Sequence, residues 1–158
     1  MSQPTLLLNT NVLWNWRYLR QHLTPLITAQ RLQVYIPTIV HAERIRQYAQ
    51  ARGEQFALRV IQLAITDSKF ELLPFETIDA EALANIWLAI KNNTLSNEFE
   101  DVESYWQAHR LDILLCATAH ARGYTLVTDD TGIHFEAVPR RMTFLQVKNY
   151  LNELVKQD

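Results

Sequence analysis

Short apolar runs alternate along this chain with stretches whose apolar residues recur at helical spacing. Thr5 to Leu8, Val34 to Ile36, Phe70 to Leu73 and Tyr124 to Val127 have strand length, and Met142 to Phe144 is a shorter fifth candidate. Runs that do not alternate strictly with polar residues suit strands covered on both faces, as in a parallel sheet. Helix starts are also readable. Thr24 followed by Pro25 predicts a cap with proline at the first helical position, and Pro37 with Thr38 opens the helix that carries Glu43. Ile78, Ala82, Ile86 and Ile90 keep helical spacing, with Asp79 placed to favour the start of that helix. Gly123 closes a helix that begins near Asp112, because glycine tolerates the left-handed conformation there. Leu145 to Val155 reads as a last, amphipathic helix. Residues 92 to 110 are the least regular stretch, acidic and partly helical, and there are no repeats or low-complexity linkers. The alternation implies right-handed crossovers and an α/β three-layer sandwich with a mostly parallel central sheet of four to five strands.

Composition narrows this picture modestly. The 158 residues fit one domain spanning 1 to 158, which buries about two-thirds of its unfolded surface without staples. Fifteen Lys and Arg against 17 Asp and Glu give a formal charge of -2, so there is no general pull toward nucleic acid or an anionic membrane. Any basic groove is local. Cys116 is the single cysteine and lies in the apolar run ILLCATA, which excludes an internal disulfide or thiolate cluster and makes it a core residue. The start MSQPTLLLN lacks the pattern of a signal peptide, and no segment has the apolar length of a membrane span. These features predict a soluble, cytoplasmic protein.

The polar residues beside the strands carry the candidate chemistry. Asn9 ends the first strand, Asp129 and Asp130 end the fourth, Glu43 lies in the second turn after the second, and Asp112 lies in the first turn of the helix before the fourth. A parallel sheet gathers ligands at the carboxyl ends of its strands. If strands one and four are neighbours, all four segments point at one cleft. Crowded carboxylates need a compensating cation, and oxygen donors without a cysteine or histidine pair select Mg²⁺ or Mn²⁺ over zinc. His22, His41, His109, His120 and His134 show no tight ligand spacing and are assigned no such role. Each residue also has an ordinary explanation: an Asx turn or cap at Asn9 or Asn11, a solvated Glu43, a helix-start Asp112, a turn at Asp129 and Asp130. Their coincidence favours one shared site. Trp14 and Trp16 either stack on bases or pack between elements, packing being commoner. Arg17, Arg20, Arg44, Arg46, Arg110, Arg140 and Arg141 read as solvated charges or local pairs, and Glu98, Glu100, Asp101 and Glu103 as a solvated face.

The segments LLLNTNVL, VHAERI, LDILLCATAHARG and LVTDDTGIHF together resemble the PIN-domain ribonucleases, and among them the compact VapC-type toxins of toxin-antitoxin pairs. The family pattern is a strand ending in Asp-Thr-Asn or Asp-Thr-Ser, a Glu near a helix start, an Asp opening a helix rich in small residues, and Thr-x-Asp after the next strand. The likeness runs through nearly the whole chain in the same order. It implies a PIN fold, Mg²⁺ or Mn²⁺ dependence and endonucleolytic cleavage of RNA, often a structured RNA such as tRNA. It also implies a homodimer held inactive by an antitoxin protein whose tail enters the active-site groove.

Carried over by position, Glu43, Asp112 and Asp130 become acidic catalytic residues and metal ligands, with position 9 as the fourth corner. Thr128 becomes the supporting threonine, and Asp129 fills the variable position between them. The departure is Asn9, where the family has aspartate; an amide lacks the negative charge, so metal affinity and turnover fall. Two origins for it remain open, a naturally weakened member and a deliberate change made to produce a toxic enzyme; the intact remainder of the acidic set favours the second. The alternative function is a non-catalytic PIN module that binds RNA or a protein. A haloacid-dehalogenase-type phosphatase needs aspartates where Asn9 and Asn11 stand, and a dinucleotide-binding turn needs glycines that Gly53, Gly123 and Gly132 do not supply.

Overall fold

The computed structural model describes residues 3 to 93 and 102 to 155. Five strands, β1 (Thr5–Leu8), β2 (Gln33–Pro37), β3 (Glu71–Leu73), β4 (Thr125–Val127) and β5 (Arg141–Met142), form one sheet in the order β3-β2-β1-β4-β5. Every pairing is parallel. Helices α1 (Trp16–Thr28), α2 (Thr38–Arg52), α3 (Glu54–Ser68), α4 (Thr77–Asn93), α5 (Val102–Arg122), α6 (Ile133–Glu136) and α7 (Phe144–Val155) flank it, and a 3-10 turn (Thr10–Asn15) joins β1 to α1. This is the expected three-layer α/β sandwich. β1 lies at the centre, which explains its unbroken leucines: Leu6, Leu7 and Leu8 are all buried.

Leu6 stands opposite both Val34 and Thr125. β1 and β4 are therefore neighbours, so the chain segments that leave their carboxyl ends emerge side by side. One further rung extends the pairing, since the Asn9 backbone N–H donates to the Val127 carbonyl at 3.0 Å.

Three expectations need correction. Thr24 and Pro25 do not open a helix; Pro25 lies inside α1. The helix runs through because Leu19, Leu23 and Leu26 form one buried stripe on both sides of the proline, and that burial outweighs one missing backbone hydrogen bond. α5 begins at Val102, so Asp112 stands in mid-helix, away from the N-terminal dipole. The irregular-looking segment before it is helical from Val102 onward because Tyr105 is buried and Trp106 packs edge-on against Trp87 of α4 at 5.6 Å. Finally, the fifth strand ends at Met142, and Phe144 starts α7.

Other readings hold. Gly123, at φ +64°, terminates α5. Asp79 caps the start of α4 by accepting the Glu76 N–H at 2.7 Å. Burial does more with Asp79 than the dipole argument foresees: fully buried, it accepts a two-pronged bond from Arg122, with Nε to Oδ1 at 2.9 Å and Nη2 to Oδ2 at 2.8 Å. The start of α4 is thus fastened to the end of α5. Cys116 is buried, and burial, with Asp112 one turn earlier, pushes its thiol well above the ordinary range. Among the described residues no helix is long and apolar enough to cross a membrane. Of the acidic run, Glu98, Glu100 and Asp101 lie outside the described residues; Glu103 is exposed and accepts from Gln107 at 2.8 Å.

Candidate active site

Asn9 is the hinge of the site. It is 3% exposed, and each atom of its amide is committed. Oδ1 accepts the Thr10 N–H at 2.7 Å, while Nδ2 donates to Thr128 Oγ1 at 3.0 Å and to Asp130 Oδ2 at 3.1 Å. The network fixes which way the amide faces, because a flipped group would set its NH₂ against the Thr10 N–H. Position 9 therefore turns its donor face, not its oxygen, toward the carboxylates.

Thr128 is the point of convergence. Its buried hydroxyl oxygen receives Asn9, the Asp130 backbone N–H at 3.1 Å and the Asn11 amide at 3.4 Å. The loop after β4 is thereby folded back over the end of β1, which aims Asp130 at Asn9. Glu43 arrives from α2 and joins through Thr10, whose hydroxyl donates to Oε2 at 2.6 Å; Gln47, one turn along, donates to Oε1 at 3.5 Å. Glu43 is thus an oriented, half-buried carboxylate and not a freely solvated one.

Asp112 reaches the same place from α5. Its carboxyl is pushed up to about 6, first by burial and then by the charges of Asp130 and Glu43. Three carboxylates from three elements act on one another. Among the described residues no lysine or arginine forms an ion pair with any of them. Neutral hydrogen-bond donors meet them instead: the Asn9 NH₂ on Asp130, and the Thr10 hydroxyl and Gln47 amide on Glu43. Asp129 is turned away, its Oδ1 accepting the Phe144 N–H at 2.7 Å to cap α7.

An oxygen-only donor set with unrelieved mutual repulsion suits a hard divalent cation. Glu43, Asp112 and Asp130 fit that role; Asn9, with its NH₂ pointing inward, fits it less well. The structure also brings up residues to which sequence spacing assigned no role. His109 and Asp112 sit three apart on one face of α5, and His134 of α6 closes on them; one ligand atom from each of the three lies within 4.8 Å of the others. His134 is buried, and its pKa is lowered to about 4 by desolvation and then by His109. The available signal was the His-x-x-Asp spacing within α5, which needed both the true helix start and His134 to gain meaning.

The surrounding residues divide. Trp16 packs edge-on against Phe70 at 5.2 Å and carries the Arg44 guanidinium 4.6 Å above its ring, whereas Trp14 is exposed. Arg44 is buried, contrary to its reading as a surface charge, because Trp16 and Tyr48 cover it. Arg20 makes a long, exposed pair with Asp67 at 3.9 Å, and Arg140 donates to the Gly123 carbonyl.

A parallel sheet in this order, with acidic side chains gathered at the ends of its central strands, defines a PIN-like α/β protein. Several solved structures are similar to it. VapBC2 from Rickettsia felis, bound to a promoter DNA fragment, matches with a TM-score of 0.63 at 17% identity, over 88% of this chain and 98% of that one. DNA-bound VapBC from Salmonella typhimurium matches with a TM-score of 0.63 at 18% identity, over 89% and 98%. FitAcB from Neisseria gonorrhoeae gives 0.58 at 21%, over 87% and 96%. No protein-family model matches the chain, and neither does any curated protein. At these identities the likeness is one of fold.

Proposed function

We propose that this chain is a PIN-type, metal-dependent endoribonuclease, the toxin of a toxin-antitoxin pair, whose activity is weakened by Asn9. One observation carries this: beside position 9, Asn9 donates to Asp130 and Thr10 donates to Glu43, while Asp112 of a third element, its carboxyl raised first by burial, is raised further by the charges of both. Glu43, Asp112 and Asp130 would hold one or two Mg²⁺ or Mn²⁺ ions. When bound, such an ion lowers the pKa of the attacking water and offsets charge on the phosphate and leaving oxygen. The chain's own residues supply position. Thr10 sets the direction of Glu43, Thr128 draws Asp130 over the end of β1, and α5 presents Asp112 from a rigid helix face. Water adds to phosphorus, the bond to the 3′ oxygen breaks, and the products are a 3′-hydroxyl, which takes up a proton, and a 5′-phosphate.

The substrate is RNA, with tRNA as the structured candidate. The protein acts in the cytoplasm as a homodimer and is inhibited by a cognate antitoxin. Similar solved structures include VapBC complexes and a toxin-antitoxin complex from Klebsiella pneumoniae, which supports an antitoxin partner.

A second reading has its own observation. The Asn9 NH₂ already gives Asp130 a hydrogen-bond donor in place of a cation, as it would in a non-catalytic PIN module that binds RNA or a protein. The two are separated by assaying Mg²⁺-dependent cleavage of total RNA and tRNA by the parent, Asn9→Asp, and Asn9→Asp with Asp112→Ala. The nuclease reading predicts weak or no cutting by the parent, a gain of at least about 100-fold for Asn9→Asp, the lower end for one electrostatic group in a catalytic site, and its loss in the double variant. Absence of cutting by folded Asn9→Asp favours the binding module.

A further inference from the structure

We propose that His109, Asp112 and His134 form a nitrogen-containing cation site, distinct in chemistry from the acidic pocket, that takes a late first-row divalent ion such as Zn²⁺.

The geometry is nearly assembled. One ligand atom from each residue lies within 4.8 Å of the others, and His134 Nε2 is 4.0 Å from Asp112 Oδ2. Zinc bonds of about 2.0–2.1 Å in a tetrahedron set ligand atoms about 3.4 Å apart. Closing the remaining gap takes side-chain adjustments of under about 1 Å, with the backbone unchanged. His109 and Asp112 are fixed relative to one another because residues three apart share a helix face. Asp112 is about one-third exposed, at 35%, and His109 is half-buried, so an ion can enter from solvent.

An independent observation points to a ligand. His134 is 1% exposed, and its Nε2 is buried with no hydrogen-bond partner while facing Asp112. Buried polar atoms are almost always paired, so this nitrogen is an acceptor awaiting a cation or a donor awaiting a closer carboxylate. The rest of the ring accommodates the first. Nδ1 meets the Tyr105 hydroxyl at 2.5 Å; with its proton on Nδ1 donated to Tyr105 Oη, the ring turns the Nε2 lone pair toward Asp112. Metal-bound histidines are commonly oriented through their other nitrogen in this way. The ring is also closely seated: a Cβ added at Gly132 would lie 2.7 Å from His134 Cε1. Glycine permits the ring to occupy this place.

Two imidazoles and one carboxylate favour zinc and its neighbours over Mg²⁺, which prefers an all-oxygen shell. The site shares Asp112 with the acidic pocket, yet it is tested apart from the proposed nuclease function, because binding is read without any RNA.

The test is titration of the chelator-stripped full chain with Co²⁺, followed by visible absorption, then competition with Zn²⁺. The site predicts one equivalent of Co²⁺ with the intense bands of a four- or five-coordinate ion, displaced by Zn²⁺. His109→Ala, at a half-buried position, abolishes the bands and weakens Zn²⁺ binding by more than about 100-fold, since loss of an outer-shell partner alone costs about 10- to 100-fold. Tyr105→Phe, which keeps the ring and removes the orienting oxygen, weakens it by about tenfold. His134→Phe serves as a second ligand variant if circular dichroism shows it folded. Glu43→Gln leaves the bands in place. Bands that survive His109→Ala, or that vanish in Glu43→Gln, would put the ion among the carboxylates and overturn the proposal, as would no Zn²⁺ binding at all.

Discussion

At position 9 a single atom type separates two chemistries. An aspartate there would place a second oxygen against Asp130 Oδ2, now 3.1 Å from the Asn9 NH₂, and would replace a charge-assisted hydrogen bond by like-charge repulsion. Without divalent ions, Asn9→Asp should therefore be less stable by about 1.5–3 kcal/mol, a loss that MgCl₂ reverses; thermal melting with EDTA and with Mg²⁺ checks both halves. Asp112 gives a pH signature. Its folded pKa, about 6, lies above the ordinary 3.8, so the folded state binds the extra proton. Its stabilising contribution is complete below the unfolded value and is lost as pH rises through about 6. At about 1.4 kcal/mol per pKa unit the full effect is about 3 kcal/mol, and solvent screening at a group one-third exposed reduces it to about 1 kcal/mol. In EDTA, Asp112→Asn should thus unfold at higher denaturant than the parent at pH 8 and at the same denaturant at pH 4. Equal midpoints at both pH values would show that Asp112 does not feel its neighbours.

Among the elements, the join between α4 and α5 matters most, because α5 carries Asp112 and His109. Asp79 is fully buried under Arg122, and its removal leaves Arg122 with the exposed Glu76 carboxylate and frees the Glu76 N–H that Asp79 caps. Asp79→Ala should destabilise the chain by about 1.5–3 kcal/mol, the range for hydrogen bonds to a charged group, measured by urea unfolding. A change below about 1 kcal/mol, the range of an exposed pair, would contradict the burial. Pro25 makes the opposite case. It is exposed within α1, where it denies one backbone donor to the helix, so Pro25→Ala should raise stability by about 1 kcal/mol or more; a fall would mean that the proline's restriction of the unfolded chain dominates. Strand identity was legible because the sheet is parallel and its central strands are apolar on both faces. Element starts were less so. Thr24-Pro25 has the local form of a helix entry, yet the leucine stripe from Leu19 to Leu26 overrides it. The stretch from Val102 to His109 keeps no clean apolar period, so the full length of α5 could not be seen, and with it the i, i+3 pairing of His109 with Asp112.

Across the whole molecule, the strand order determines what meets. Because β1 and β4 pair directly, Asn9, Thr128 and Asp130 are joined by hydrogen bonds although they lie far apart in the chain. Asp112 was expected in a first helical turn and stands in mid-helix, whereas Asn9, Thr128 and Asp130 were readable from their positions after strands. Their partners were not: the Thr10 hydroxyl on Glu43, the Tyr105 hydroxyl on His134 and the glycine that makes room for that ring depend on side-chain directions that no periodicity encodes. On the proposed function, carboxylates from α2, α5 and the loop after β4 would enclose a hard divalent cation beside position 9. Calorimetric titration of Mg²⁺ into the Asn9→Asp protein measures this. Saturable binding is expected, weakened at least about tenfold by Glu43→Gln, the effect of losing a supporting or direct ligand, and left intact by His109→Ala. No saturable Mg²⁺ binding by the folded Asn9→Asp protein, or binding indifferent to Glu43, would contradict it.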